Sequence, residues 1–188
     1  MISLARRSVG GDESAARELL GLLEPLIVRT ARLVVGAGSW AAEDAAQEAL
    51  LDVALGLAKL REPEAVLGWA LRVTTNRALK TARHERLLSL RRATSVDPEL
   101  LERIAAEPDR ERSGALKDAF DRLSPRLRVT AVLRLQLAFG EAETAEILGC
   151  SPQTVKSNLH RARVKLVKVL GEHGFAPASI PAPGKETL

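Results

Sequence analysis

The chain of 188 residues has no Tyr, only three Phe and two Trp, and a single Cys. Cys150 therefore cannot form an internal disulfide, and no cluster of Cys and His has the spacing of a zinc site. No apolar run approaches the ~18 residues of a membrane span, and the first residues are not followed by the apolar core of a signal peptide. We expect a soluble, cytoplasmic protein with no metal and no membrane attachment of its own.

Motifs for catalysis are also missing. There is no Gly-rich phosphate loop, and His84, His160 and His173 have no carboxylate and nucleophile at a suggestive spacing. Cys150 stands where a small apolar residue is expected. These absences argue against an enzyme, a cofactor and a small-molecule substrate.

What the chain does contain is Leu, Ala, Val, Arg and Glu. Apolar residues make up 46% of the sequence, enough for a packed core, and no stretch alternates as a strand does. We predict an all-α fold. The net charge of +4 suits a nucleic-acid partner, although the signal is weak.

The clearest motif lies between Glu143 and Leu170 and predicts a helix-turn-helix. Gly149 suits the turn because it adopts a positive φ without steric cost, and Ser151 with Pro152 marks the start of a second helix. Spacings of four, three and four give that helix a buried face of Val155, Leu159, Ala162 and Leu166. Five Lys or Arg and no acid follow Ser151 up to Leu170, as a helix in the DNA major groove requires. The alternative is an amphipathic hairpin with a solvated basic face.

Prolines, glycines and charge divide the chain. Residues 61–92 hold eight bases and three acids, whereas residues 93–121 hold eight acids and four bases. We predict two small helical domains, at 1–92 and 114–170, joined by an acidic linker at 93–113 with at most short helices, and a disordered tail at 171–188.

Local signals place the helices. Asp12 is expected to cap the first, and Pro25 to open or kink the next. Further helices are expected at about 40–60 and 63–88, and in the second domain at about 124–139.

Two of these helices carry polar stripes. On the third, acids and apolar residues share a face, which would suit a basic partner helix or simply be a solvated surface. On the fourth, Arg72, Asn76, Lys80 and Arg83 recur at four, four and three. An Asn between cations can bond a base edge while the cations hold phosphates, and the alternative is a basic surface helix. Trp69 precedes this ridge, and a lone Trp in a helical domain is usually core.

The order of these segments resembles the extracytoplasmic-function (ECF) sigma factors of bacterial RNA polymerase, which keep sigma domains two and four. Residues 42–51 are similar to the family's acidic Asp-Gln-Glu segment, and residues 69–80 to its Trp-Leu-x-Arg-Ile-Ala-x-Asn stretch. Residues 123–166 are similar to domain four. The resemblance covers the chain up to about Leu170. The sequence departs from the family in its scarcity of aromatics around the −10 region and in the first helix.

The resemblance implies that the protein is a non-catalytic specificity subunit. Its expected partners are core RNA polymerase (the clamp helices of the largest subunit and the flap of the second), promoter DNA and an anti-sigma factor. The expected polymerase contacts are Glu43, Asp44, Gln47, Glu48 and Leu51. The expected −10 contacts are Trp69, Arg72, Asn76, Lys80 and Arg83, with a flipped base held by the loop at about 60–67. The expected −35 contacts are Arg126, Thr154, Lys156, Ser157, His160, Arg161, Arg163 and Lys165.

Two other classes share some of these features. A helix-turn-helix regulator with an N-terminal sensor or dimerisation domain would explain the C-terminal motif but not Trp69 to Lys80 after an acidic helix. An anti-sigma or adaptor protein would contact no DNA.

Overall fold

The computed structural model describes residues 1–36, 39–92 and 108–175, and within these ranges the regular structure is entirely helical. The elements are α1 (Ile2–Val9), α2 (Glu13–Val35), α3 (Trp40–Leu57), a 3-10 turn (Pro63–Ala65), α4 (Val66–Arg92), α5 (Pro108–Asp121), α6 (Pro125–Ala131) with a π-helical turn (Val132–Gln136), α7 (Glu141–Leu148) and α8 (Pro152–Glu172). The predicted all-α fold of two helical domains is confirmed, with α1–α4 in the first domain and α5–α8 in the second.

Side-chain caps start the helices where the sequence predicts them. Asp12 Oδ1 accepts a hydrogen bond from the Ala15 amide at 2.9 Å, which satisfies one of the free N–H groups of α2. This bond lowers the pKa of the Asp12 carboxyl below its usual value. Ser151 likewise caps α8, its hydroxyl oxygen accepting from the Thr154 amide at 3.2 Å.

The first domain has its own hydrophobic core between α2, α3 and α4. Its fully buried side chains are Ala5, Leu19, Leu23, Ile27, Ala49, Val53, Leu57, Val66 and Ala70. Burying a Leu, Ile or Val side chain stabilises the fold by roughly 1.5–3 kcal/mol. These contacts hold α3 and α4 side by side, so that each keeps one face on the surface.

The expectation that Pro25 opens or kinks a helix of its own is wrong in placing a boundary there: α2 runs through it from Glu13 to Val35. A proline inside a helix removes one hydrogen bond and costs about 3 kcal/mol. Leu23 and Ile27, on either side of Pro25, are both buried in the core. Packing of the whole helix outweighs the local defect, and Pro25 itself faces outward.

Other boundaries also differ from the predictions. The short helix α1 was not foreseen, and α3 ends at Leu57 rather than near residue 60. The acidic segment contains the 14-residue helix α5, which is longer than expected there. Residues 93–107 of the predicted linker and residues 176–188 of the predicted tail lie outside the described ranges, while residues 171 and 172 belong to α8.

The helix predicted to reach residue 139 ends earlier. After α6 the backbone widens into the π-helical turn, where the Leu137 amide donates to the Val132 carbonyl at 3.0 Å. Ala138 then takes a positive φ of 55°, which ends the helix. Arg134 donates to the Phe139 carbonyl and closes this corner. The corner directs the chain into α7.

Candidate polymerase and nucleic-acid interfaces

One face of α3 is exposed along its whole length. Asp44, Gln47, Glu48, Leu51 and Leu55 form this α3 stripe, with Leu51 64% and Leu55 70% exposed. The opposite face buries small residues (Ala42, Ala45, Ala46, Ala49) against α2 and α4. Trp40, 89% exposed, stands at the amino end of the same helix. The stripe combines acidic and large apolar groups, as a surface that docks a basic helix requires.

The acidic side chains of α3 differ in whether they form ion pairs within the chain. Glu43 Oε1 accepts from Arg32 Nε at 2.7 Å, and Arg77 of α4 donates to Asp52 at 2.6 Å and to Glu48 at 3.1 Å. The bond to Asp52 raises the pKa of the Arg77 guanidinium. Asp44 has no ion-pair partner among the described residues. The Arg77 contacts therefore tie α3 to α4, whereas the exposed Asp44 carboxylate takes no part in them.

The fourth helix presents the predicted ridge. Arg72, Asn76, Lys80 and Arg83, here called the α4 ridge, are all exposed and share one face. None of the three cations has an ion-pair partner in the part of the chain that the structure describes. The intervening Thr74 and Thr75 are buried, and their hydroxyls donate to carbonyls of their own helix. The ridge can thus offer one amide and three cations to a nucleic-acid strand.

Trp69 lies at the crossing of α3 and α4. Its ring covers Gly56 so closely that a Cβ on that glycine would be 2.5 Å from the ring's Cζ2. The side chain is half-buried and packs against the first-domain core. Core packing, the more common role of such a Trp, therefore explains why part of the Trp69 ring is buried.

The loop ahead of α4 is tied to α1. Arg6 Nε donates to Glu64 Oε1 at 2.9 Å, and this contact lowers the pKa of the Glu64 carboxyl. The 3-10 turn Pro63–Ala65 then leads directly into α4. The unforeseen helix α1 therefore positions the segment that the sequence analysis assigned to base capture.

The helix-turn-helix forms as predicted. Gly149 adopts the left-handed conformation with φ 61°, and the Cys150 amide donates to the Ala145 carbonyl at 3.0 Å. Cys150 is half-buried in this turn. Helix α8 buries Val155, Leu159, Ala162, Leu166 and Val169, the four predicted residues and one more.

The −35 candidates fall into three groups. Lys156, His160, Arg161 and Lys165 on α8 and Arg126 on α6 are exposed, and Ser157 is half-exposed. Thr154 shares its hydroxyl with Ser151 Oγ at 2.9 Å, so it completes the cap of α8. Arg163 is half-buried, and its Nε is buried without a hydrogen-bond partner among the described residues. Arg163 is thus the least available of the predicted contacts.

Sequence reasoning missed two exposed residues of α8. Gln153 lies one turn before Ser157, and Lys168 lies one turn past Val164 on the same outer face. Their positions follow from the spacing of the buried residues, which leaves 153, 157, 160, 164 and 168 pointing away from the core. A Gln in the first turn of a groove-entering helix can bond adenine with both groups of its amide.

Comparison with known proteins assigns each half of the chain to a family. Residues 19–87 match the family "Sigma-70 region 2", and residues 113–166 match "Sigma-70, region 4". The ECF RNA polymerase sigma factor SigM of Mycobacterium tuberculosis is 32% identical over 167 residues, which is 87% of this chain and 81% of SigM. The chain is an ECF sigma factor.

Solved structures show the same fold for this sigma factor. CnrH, in complex with the cytosolic domain of CnrY, aligns with TM-score 0.67 and 19% identity over 91% of this chain and 97% of CnrH. RpoE from Bartonella quintana, in complex with the anti-sigma factor NepR, aligns with TM-score 0.62 and 21% identity over 82% of this chain and 96% of RpoE.

Membership of the family establishes the function in outline: the chain is a sigma factor that directs transcription initiation by RNA polymerase. The alternative of a helix-turn-helix regulator with a sensor domain is set aside, because the region 2 match covers most of α2, α3 and α4. Within the described ranges, no helix of this sigma factor is long and apolar enough to cross a membrane.

Proposed function

We propose that this sigma factor docks on core RNA polymerase through the α3 stripe and reads promoter DNA through the α4 ridge and helix α8. Its partners are then the clamp helices of the largest subunit, the flap of the second subunit and promoter DNA. The chain acts in the cytoplasm as a non-catalytic specificity subunit, and an anti-sigma factor is a further expected partner.

The observation that carries the docking proposal is the exposed stripe, in which Asp44 has no ion-pair partner among the described residues. Large apolar side chains are costly to leave in water, and Leu51 and Leu55 lie one turn apart. Acidic groups beside them favour a basic partner and speed the encounter. Together they describe a surface for a basic, partly apolar helix.

Opposite charges support the DNA assignments. The α4 ridge contains no acid, and the one exposed acid of α8, Glu172 in its last turn, pairs with Arg122 of α5. Lys and Arg hold phosphates through charge, and amide or hydroxyl side chains between them can bond base edges. We assign Asn76 to the −10 element, and Gln153, Ser157, His160 and Arg161 to the −35 element.

Charge reversal at Asp44 tests the proposal. Asp44→Lys removes one attraction and adds one repulsion without touching an internal ion pair, so affinity for core polymerase should fall about tenfold or more, which is roughly 1.4 kcal/mol. Titration of labelled chain with core enzyme measures this, followed by transcription from a mapped start site. Glu48→Lys is less informative because it also breaks the contact with Arg77.

The matched control is Glu18→Lys, which reverses an exposed acid on α2 of the same domain. It should bind core polymerase as the native chain does. Equal affinities for the Asp44 and Glu18 variants, both folded, would remove the α3 stripe from the polymerase interface.

A further inference from the structure

Trp40 is the one exposed aromatic side chain within the described ranges. The chain has two Trp, three Phe and no Tyr, and all five aromatic residues lie in those ranges. Phe120 is buried, and Trp69, Phe139 and Phe175 are partly buried, whereas Trp40 is 89% exposed. A packed aromatic ring buries on the order of 150–250 Å². Within this chain the Trp40 ring forgoes that gain and remains available to a partner.

Helix geometry puts this ring on the same face as the α3 stripe. Trp40 is the first residue of α3, directly after the Ser39 cap, whose hydroxyl oxygen accepts from the Ala41 amide at 3.2 Å. With 3.6 residues per turn, Asp44 lies only about 40° around the helix from Trp40, and Leu51 about 20°. The buried alanines of α3 lie on the opposite side. Trp40 therefore extends the α3 stripe by one turn at its amino end.

Trp40 and Asp44 combine an aromatic face with a carboxylate. They are four residues apart on one helix, so their Cβ atoms are neighbours at about 5–6 Å. Asp44 is exposed and has no ion-pair partner among the described residues. The adjacent Glu43 is already bonded to Arg32 at 2.7 Å, and that cation leaves the Trp40 ring uncovered. A ring attracts a cation to its face, and a carboxylate accepts N–H bonds, so the pair suits a guanidinium.

We propose that Trp40 and Asp44 together hold one arginine of the basic helix in core RNA polymerase on which the α3 stripe docks. The indole face stacks on the guanidinium, and the Asp44 carboxylate accepts bonds from its N–H edge. Arginine fits better than lysine, because a planar guanidinium stacks and donates at once, whereas an ammonium is a compact, strongly hydrated charge. This proposal rests on the proposed docking of α3, and it identifies the residue that anchors the amino end of that surface.

The neighbouring charges favour this partner over other surfaces that bind an exposed Trp. A two-fold contact with a second copy of the chain would place the acidic stripes of both copies together, and like charges oppose that arrangement. An anionic membrane surface would repel Asp44 and Glu48 for the same reason. An arginine-bearing helix meets opposite charge beside apolar area, and so matches the whole stripe.

Truncation of the ring tests its role. Trp40→Ala should weaken affinity for core polymerase about tenfold or more, because buried aromatic anchors carry a large share of the binding energy of an interface. Titration of the labelled full-length chain with core enzyme measures this loss. Since Trp40 is exposed and Ala favours a helix more than Trp does, the variant should keep the native circular dichroism spectrum. Leu22→Ala, which removes a 52% exposed apolar side chain from α2 of the same domain, is the matched control and should bind as the native chain does.

Two further substitutions separate cation binding from apolar contact. Trp40→Phe keeps an aromatic ring, although its face attracts a cation less strongly than that of Trp. Trp40→Leu keeps apolar bulk without a π-system. The Phe variant should therefore bind core polymerase more tightly than the Leu variant, which should approach Trp40→Ala. A Leu variant that binds as tightly as the Phe variant would show that the ring supplies apolar area alone, and would overturn the assignment of the guanidinium.

A double-mutant cycle tests whether Trp40 and Asp44 hold the same cation. Asp44→Asn removes the charge with little change of shape. If one arginine contacts both side chains, the double variant should lose several-fold less affinity than the product of the two single losses. Trp40→Ala combined with Leu55→Ala is the control, because these side chains are about 23 Å apart along α3 and their losses should multiply. Losses that multiply in both pairs overturn the shared arginine.

The outcomes separate this proposal from the proposed docking surface. If Asp44→Lys weakens binding to core polymerase and Trp40→Ala does not, the α3 stripe stands and the proposal for the ring is overturned. If neither variant weakens binding, the α3 stripe is removed from the interface, and the arginine site with it. If Trp40→Ala retains native polymerase affinity but abolishes a self-association seen by sedimentation, the ring belongs to a contact with a second copy, which likewise overturns the proposal.

Discussion

Asn76 is the single uncharged side chain of the α4 ridge. It is exposed between cations one turn to either side, and it has no hydrogen-bond partner among the described residues. A phosphate anchor needs only positive charge, whereas an amide offers a paired donor and acceptor that match a base edge. The position therefore fits capture of an unpaired base.

Asn76→Ala should leave binding to core polymerase intact but impair formation of the open promoter complex. A template with a pre-melted −10 region should not rescue the variant, because base capture is still required. Transcription from duplex and bubble templates measures both effects. Lys80→Ala is the control, and lower ionic strength should restore it, since its contact is electrostatic. Full activity of Asn76→Ala on both templates would exclude it from the site.

Arg161 and Lys165 lie on α8 one turn apart, and both are exposed and unpaired within the described ranges. Arg161→Ala should cost about 1–3 kcal/mol of binding to the cognate −35 element if its guanidinium bonds a base edge. Lys165→Ala should weaken binding to all sequences alike. Competition between cognate and scrambled −35 duplexes in the polymerase complex gives the ratio. Equal losses of Arg161→Ala on both duplexes would reject its specific role.

At the scale of helices, the crossing of α3 and α4 depends on a glycine, which has no side chain at the point of contact. Gly56 lets the helices approach until the Trp69 ring covers its Cα, and a Cβ there would come within 2.5 Å of the ring. The ion pairs from Arg77 to Asp52 and Glu48 lie along the same pair of helices. These contacts therefore fix the position of the α3 stripe relative to the α4 ridge.

Gly56→Ala should destabilise the first domain by about 1–3 kcal/mol, because the Trp69 ring must move out of a packed site. Urea unfolding followed by circular dichroism measures this change. Gly21→Ala in α2 is the matched control, because a Cβ added there would project into open space with no neighbouring atom within 4 Å. That variant should be neutral or stabilise by about 0.4–1 kcal/mol through the unfolded state. The reverse order of stabilities would contradict the described crossing.

For the whole molecule, the small net charge of +4 conceals two opposite surfaces, the acidic α3 stripe and the basic face of the α4 ridge and α8. In the proposed function, the first surface contacts a protein with basic helices and the second contacts DNA. Helix α4 packs against α6 and α7, which brings Arg72 of the α4 ridge close to the Gly149 turn that precedes α8.

Local signals in the sequence determined much of this protein. The caps at Asp12 and Ser151, the glycine turn at Gly149 and the buried periodicity of α8 depend on residues within one or two turns, so they can be read directly from the chain. The polar stripes of α3 and α4 follow from the same periodicity. The order of these stripes and of the helix-turn-helix along the chain was sufficient to identify the family.

Tertiary structure decided what depends on residues far apart in sequence. Helix α2 continues through Pro25 because packing on both sides outweighs a broken hydrogen bond. Trp69 meets Gly56 only when α3 and α4 cross, and Glu48 differs from Asp44 in having an ion-pair partner because of where Arg77 of α4 comes to lie. Arg128 reads as one more surface cation of a basic helix. It is buried at two helix ends because the fold brings α2 and α5 together around it, and no local pattern encodes that meeting.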